Sequence, residues 1–179
     1  CVVDNVETII SIYNAVVKGI PSMERVVTVT GDGVVNPGNY KVLFGTNQNE
    51  LIEAAGGLKE GCEKVISGGP MMGFAMYTTD TPITKTSSSI LCMSKDEVSA
   101  CEPTACINCG RCVDACPSRI IPSRLADFAE RHDEEAFLKF NGLECVECGS
   151  CSYVCPAKRQ LKQAIGSMRK TALANKKKK

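Results

Sequence analysis

Apolar residues return every three or four positions from Val6 to Val17, through Ile9, Ile10, Tyr13 and Val16. That spacing predicts an amphipathic helix. Asp4 or Asn5 can cap its start, and Glu7 sits where the N-terminal end of the helix dipole favours an acid. Gly19 and Pro21 end it. A helix so rich in Val and Ile is expected to pack on something that precedes it.

The period then changes. Residues 25–30 are β-branched and read as a strand, and the Gly31-Asp32-Gly33 and Asn36-Pro37-Gly38 clusters mark turns. Residues 39–44 read as a second strand, forming a hairpin with a long loop. Thr46 is the candidate cap of a helix to about Ala55, closed by Gly56-Gly57. Residues 63–67 read as a third strand. Strand, strand, helix and strand in so short a span predict a small α+β sheet crossed by one helix. The Gly68-Gly69-Pro70-Met71-Met72-Gly73 stretch is a Gly-rich loop without the G-x-G-x-x-G spacing of a dinucleotide cradle, so it reads as a structural turn. Met71 and Met72 read as core or interface packing. Residues 74–93 contain strand pieces near Ile83-Thr84 and Ile90-Leu91, and Ser94 can cap a short helix through Asp96-Glu97. A domain boundary is expected between Ser94 and Thr104.

Beyond it the helical period returns from Pro122 to Phe140, at Leu125, Phe128, Ala129, Ala136, Phe137 and Phe140. His132-Asp133 is the expected break. A further helix is expected from Lys158 to Arg169. Residues 161–179 hold seven basic and no acidic residues, whereas residues 1–100 hold 7 basic against 11 acidic and residues 101–160 hold 7 against 9. The formal net charge of +1 therefore hides a nearly neutral body and a basic end. Arg169 to Lys179 is expected to be solvated and mobile, with an anionic membrane surface as its candidate contact. No apolar run approaches the roughly 18 residues of a membrane span. The first residue is Cys rather than Met, so the chain is expected to be part of something longer.

Twelve cysteines change the picture. Eight fall in two copies of one pattern, C-x2-C-x2-C-x3-C-P. The first is Cys106, Cys109, Cys112, Cys116 and Pro117; the second is Cys145, Cys148, Cys151, Cys155 and Pro156. This is the run of bacterial two-cluster ferredoxins. A [4Fe–4S] cube needs one thiolate at each iron corner, and three Cys spaced by two can wrap one cube from a tight turn. In two-cluster ferredoxins the fourth Cys serves the other cluster. Cluster A is then assigned Cys106, Cys109, Cys112 and Cys155, and cluster B Cys145, Cys148, Cys151 and Cys116. Pro117 and Pro156 fix the exit from each loop. Gly110 and Gly149 let the backbone approach the cluster, and Ile107 and Val146 help keep water away. Zinc is the competing metal, but zinc sites pair C-x2-C motifs across a longer loop. A disulfide scaffold fits worse, because thiols in ligand spacing favour a reducing compartment. The 28 residues between Cys116 and Cys145 exceed a compact ferredoxin's connection, so the module is expected to be of the α-helical ferredoxin type. Cys1, Cys62, Cys92 and Cys101 lie outside the pattern and read as plain thiols, and His132 as a solvated side chain. Arg111 and Arg119 flank cluster A.

The residues before the repeat carry a further resemblance. Val27 to Tyr40, Gly45-Thr46 and Leu51 to Leu58 resemble the soluble-ligand-binding β-grasp domain. Together with Ser67 to Gly73 and the cysteine repeat, they make the chain similar to the C subunit family of Rnf ion-translocating electron-transport complexes. The resemblance implies an α+β chain in which a small β-grasp-like domain precedes an α-helical ferredoxin-type two-cluster domain. Residues 1–21 would be a helix left from an upstream flavin and NADH domain, and 22–100 the β-grasp domain and connector. Residues 101–165 would be the two-cluster domain, and 166–179 a basic flexible tail. Asn5-Val6-Glu7-Thr8 resembles a motif that contacts flavin phosphate in a relative of that upstream domain, which makes Asn5 and Thr8 candidate phosphate contacts beside a helix N-terminus; simple helix capping is the alternative.

By the same resemblance the function is one-electron transfer through two [4Fe–4S] clusters, between an NADH or flavin site and ferredoxin or membrane redox subunits. FMN and NADH are expected only with the upstream domain, so this chain by itself reads as a relay rather than an NADH oxidase. The implied partners are other Rnf subunits and a ferredoxin or flavoprotein, at the cytoplasmic face of the cell membrane; nucleic acid is not among them. A cobalamin reductase, or an electron-transfer protein of a substrate reductase, would use the same modules. A non-redox ligand-binding module with structural clusters is the alternative of another class.

Overall fold

The computed structural model describes residues 1–96 and 100–177. The chain divides into two compact units, residues 1–96 and 97–179, each with its own hydrophobic core.

Unit one begins with α1, Val6–Lys18. The Asn5 side chain caps it by accepting from the Glu7 N–H, and Gly19, at φ 67°, closes it in the left-handed conformation. None of its residues is buried. Glu7 ties it to the sheet: one carboxylate oxygen accepts from Val26 N–H at 2.7 Å, the other from the Arg25 guanidinium at 3.0 Å. Arg25 also donates to the Lys85 carbonyl.

The five strands are β1 Glu24–Thr30, β2 Gly38–Leu43, β3 Lys64–Ser67, β4 Phe74–Ala75 and β5 Ser89–Met93. They lie in the order β2-β1-β5-β3-β4. The central pair, β1 with β5, is parallel, with Val29 opposite Ile90; every other pair is antiparallel. Val27 and Val29 alternate into the core with Val65, Ile90 and Cys92, where they meet Leu51, Ile52 and Ala55 of α2, Gln48–Ala54, and its C-cap. One helix over a sheet whose first and last strands run parallel is the β-grasp arrangement.

Three local expectations change. The cap of α2 is Asn47, whose side chain accepts from Asn49 N–H at 2.9 Å, rather than Thr46. Ser94 does not cap a helix: its N–H and hydroxyl both donate to the Asp32 carboxylate, which those bonds hold below its usual pKa. Glu97, the other end of that expected helix, lies outside the described residues. Met71 and Met72, 46% and 61% exposed, are not core residues.

Unit two is helical: α3 Arg111–Asp114, α4 Pro122–Glu130, α5 Glu134–Lys139, a 3-10 turn at Gly142–Glu144, α6 Ser150–Tyr153 and α7 Leu161–Lys177. The break between α4 and α5 falls at His132, φ 56°, and Asp133, whose side chain caps α5. Helices α4 and α7 pack together around Leu125, Ala126, Phe137, Leu161 and Ile165.

The expected flexible basic tail, 166–179, is corrected over its described length. Helix α7 runs through Lys177. Leu161, Ile165, Met168 and Ala172 share one stripe and are buried, and Arg169 reaches the Leu143 carbonyl and the Glu147 carboxylate at 3.1 and 3.3 Å. Lys178 and Lys179 lie outside the described residues.

Phe137 is fully buried in unit two, whereas Leu138 beside it is 42% exposed. Phe137→Ala should therefore cost about 3–5 kcal/mol and Leu138→Ala well under half of that. Chemical denaturation of the cluster-loaded chain checks this, and equal costs would contradict the placement of the core.

Candidate metal centre

The two cysteine runs fold as copies of one structure, offset by 39 positions. Asn108 and Glu147, both at φ 54°, occupy matching positions, as do Gly110 at 79° and Gly149 at 84°, and Arg119 and Lys158 at 53°. Each Gly leads into a single helical turn, α3 or α6, in which the third and fourth residues after the Gly donate back to its carbonyl. Each turn ends as Cys116 or Cys155 donates to the carbonyl three residues earlier, and the chain then passes through Pro117 or Pro156. With left-handed backbone at two positions in each loop, three cysteines of each run line one cavity. The same 39-residue step relates Pro122, which opens α4, to Leu161, which opens α7.

Two cavities of similar size result, about 340 and 380 Å³. Cys106, Cys109, Cys112 and Cys155 line one; Cys145, Cys148, Cys151 and Cys116 line the other. Each thus receives three thiols from one run and the last thiol of the other. Apolar groups fill much of the remaining wall: Ile107, Pro156, Ala157 and Leu161 in the first, and Pro117, Ile120, Pro122, Val146 and Ile165 in the second. Ile107 and Val146 are nonetheless 67% and 56% exposed, so they cover the cavities from outside rather than from a buried shell.

The thiols sit in unlike surroundings. Burial pushes Cys151 up to about 11 and also raises Cys145, which accepts the Glu147 N–H at 3.4 Å. Cys148 is lowered by hydrogen bonding with Ser150, whose hydroxyl lies 3.5 Å from its sulfur. Ligation asks all four to give up protons, so loading a metal centre here releases them.

The donor set fits [4Fe–4S] clusters. Each cavity offers four thiols and no imidazole, and soft thiolates select iron–sulfur clusters, copper(I) or zinc. A cube spreads its four thiolates over four corners, whereas one zinc draws them to about 2.3 Å from a common centre.

Other candidates lie apart from this centre. The Asn5 side-chain carbonyl is engaged as the α1 cap, and Thr8 is exposed beside it. Cys92 is wholly buried in the β-grasp core, with Cys62 packed against it, and burial pushes the Cys92 thiol up to about 11. Cys1 and Cys101 are exposed. A residue the sequence did not single out, Arg159, lies in the wall of the first cavity with its side chain 11% exposed. It pairs with Asp127 and Glu130 at 2.9 Å each. Burial opposes its charge, but the two acids outweigh burial and hold the guanidinium protonated.

Comparison with known proteins places two domain families on these units. Residues 26–75 match the SLBB domain, and residues 105–159 match the 4Fe-4S dicluster domain. The chain is 48% identical over 165 residues to the C subunit of the proton-translocating ferredoxin:NAD(+) oxidoreductase complex of Clostridium ljungdahlii, covering 92% of this chain and 36% of that protein. It is 40% identical over 177 residues to the C subunit of the Na(+)-translocating ferredoxin:NAD(+) oxidoreductase complex of Acetobacterium woodii, covering 99% and 40%. It is 41% identical over 132 residues to the C subunit of the ion-translocating oxidoreductase complex of Yersinia enterocolitica, covering 73% and 19%. The chain thus spans at most two fifths of the length of these relatives.

Gly110 has open space where a Cβ would stand, so only backbone strain opposes a side chain there. Gly110→Ala should destabilise the loop by roughly 1–2 kcal/mol, and Gly110→Asn by less, because Asn tolerates left-handed backbone. Anaerobic denaturation of the loaded chain measures both; an unchanged midpoint in Gly110→Ala would contradict the loop conformation.

Proposed function

Because the chain belongs to the family of the C subunits of ion-translocating ferredoxin:NAD(+) oxidoreductase complexes, we propose that it relays single electrons through two [4Fe–4S] clusters. The electrons pass between a flavin or NADH site and ferredoxin or the membrane redox subunits of such a complex. One observation carries this reading: two thiol quartets, each closed by the last cysteine of the other run. The bound clusters would supply one-electron chemistry at potentials set by their surroundings.

In this reading Cys106, Cys109, Cys112 and Cys155 hold cluster A, and Cys145, Cys148, Cys151 and Cys116 hold cluster B. The backbone N–H of the left-handed residue Glu147 faces the Cys145 sulfur and would offset charge on that thiolate. The apolar walls limit water around the centre. Residues 22–100 are the β-grasp domain and connector, and α1, within residues 1–21, is a helix left from an upstream flavin and NADH domain. The location proposed is peripheral, at the cytoplasmic face of the cell membrane. Consistent with a peripheral part, no helix among the described residues is long and apolar enough to cross a membrane.

Anaerobic reconstitution with iron and sulfide should yield about eight irons per chain, with visible absorbance that a reductant bleaches and air-free reoxidation restores. Stoichiometric zinc without that absorbance would overturn the cluster assignment. Clusters that load but cannot be reversibly reduced would overturn the relay and leave a structural role.

A further inference from the structure

The two cluster cavities are copies, so the places where they differ show what distinguishes them. Shifted by 39 positions, Arg159 of the first cavity corresponds to Ile120 of the second. The buried aliphatic Ile120 stands in one wall where Arg159 stands in the other, and the second wall also carries Glu147 and Lys162, one of each sign, where the first has the neutral Asn108 and Ser123. Arg159 also lines a neighbouring open cleft, together with Cys106, Asp127 and Glu130. The two acids border the cleft and not the cluster cavity. Arg159 thus lines both the cavity of the four thiols and the cleft of the two carboxylates, while the acids themselves stay out of that cavity.

We infer that Arg159 is a positioning residue for the redox level of the site at Cys106, Cys109, Cys112 and Cys155, raising its potential relative to an apolar wall and making the two sites inequivalent. This rests on the relay reading above. Four thiolates give a [4Fe–4S] centre net negative charge, and one-electron reduction adds another negative charge without making or breaking a bond. A nearby cation favours the added charge and a nearby carboxylate opposes it, so Arg159 and its two acids act on this site in opposite directions. With 11% of its side chain exposed, Arg159 is poorly screened by solvent. The acids hold the guanidinium in place and moderate its effect.

Substitutions on either side of this pair separate charge from structure. Arg159→Gln and Asp127→Asn both break the same ion pair, so a purely structural role predicts shifts in the same direction. The electrostatic role predicts opposite ones. In potentiometric titration followed by electron paramagnetic resonance, the signal of this site is the one that Cys109→Ser perturbs. Arg159→Gln should move its midpoint down, Asp127→Asn should move it up, and Arg159→Lys should stay near the unsubstituted value. The other site's midpoint should stay in place throughout. If Arg159→Gln loads no cluster, Asp127→Asn and Glu130→Gln decide, since both should move the midpoint up. Shifts of one sign in the Arg159 and acid variants, no shift, or equal shifts at both sites would overturn the inference. An unsubstituted chain without iron would overturn the relay reading and this inference together, whereas iron with unmoved midpoints overturns this inference alone.

Discussion

Neither cysteine run closes its own cavity. Three thiols of each run line one cavity, but the fourth follows a helical turn and lines the other run's cavity. A thiol quartet therefore exists only when the run from Cys106 and the run from Cys145 lie side by side, and most features of unit two serve that juxtaposition. Short helices α3 and α6 pack on each other. The chain between the runs folds into α4 and α5, long enough to return the second run beside the first. Helix α7 lies on α4 and fixes the exit of the second loop, helped by Arg169 reaching back to Leu143 and Glu147. Ligand binding at a site that only the folded chain possesses adds directly to folding free energy. Loading the sites would thus reinforce a helical core whose fully buried side chains include Phe137, Leu125, Leu161 and Ile165.

The β-grasp unit follows another rule. Its core comes from strand alternation, Val27 and Val29 facing Ile90 and Cys92, and it owes nothing to metal. Its outer features are the less conventional part. Helix α1 buries none of its residues and is tied to the sheet through Glu7. In the motif Asn5-Val6-Glu7-Thr8, capping by Asn5 and sheet attachment by Glu7 are structural duties that account for two of the four residues.

Much of this is legible in the sequence, and the reasons are physical. Cysteine spacing encodes the loop directly, because the same intervals recur wherever three thiols must meet at one cube. The crossed fourth thiol follows from chain direction after Cys-Pro. The helix break at His132-Asp133 and the β1–β2 hairpin are visible as changes of period. Other features are hidden. Composition makes residues 169–177 look like a solvated basic end, since four of them are Lys or Arg, while the buried stripe continues only through Met168 and Ala172. Local pattern cannot show where a long ion pair lands, so Arg159 with Asp127 and Glu130 escapes it. The Ser94 bond to Asp32 escapes for the same reason: it joins residues 62 positions apart.

The central claim is that each metal centre is shared between the two runs. Cys116→Ser, followed in the loaded chain by a spectroscopy that resolves the two clusters, tests it most directly. The account predicts that the cluster of Cys145, Cys148 and Cys151 is perturbed or lost while that of Cys106, Cys109 and Cys112 keeps its signature. Perturbation of the latter with the former intact would contradict it.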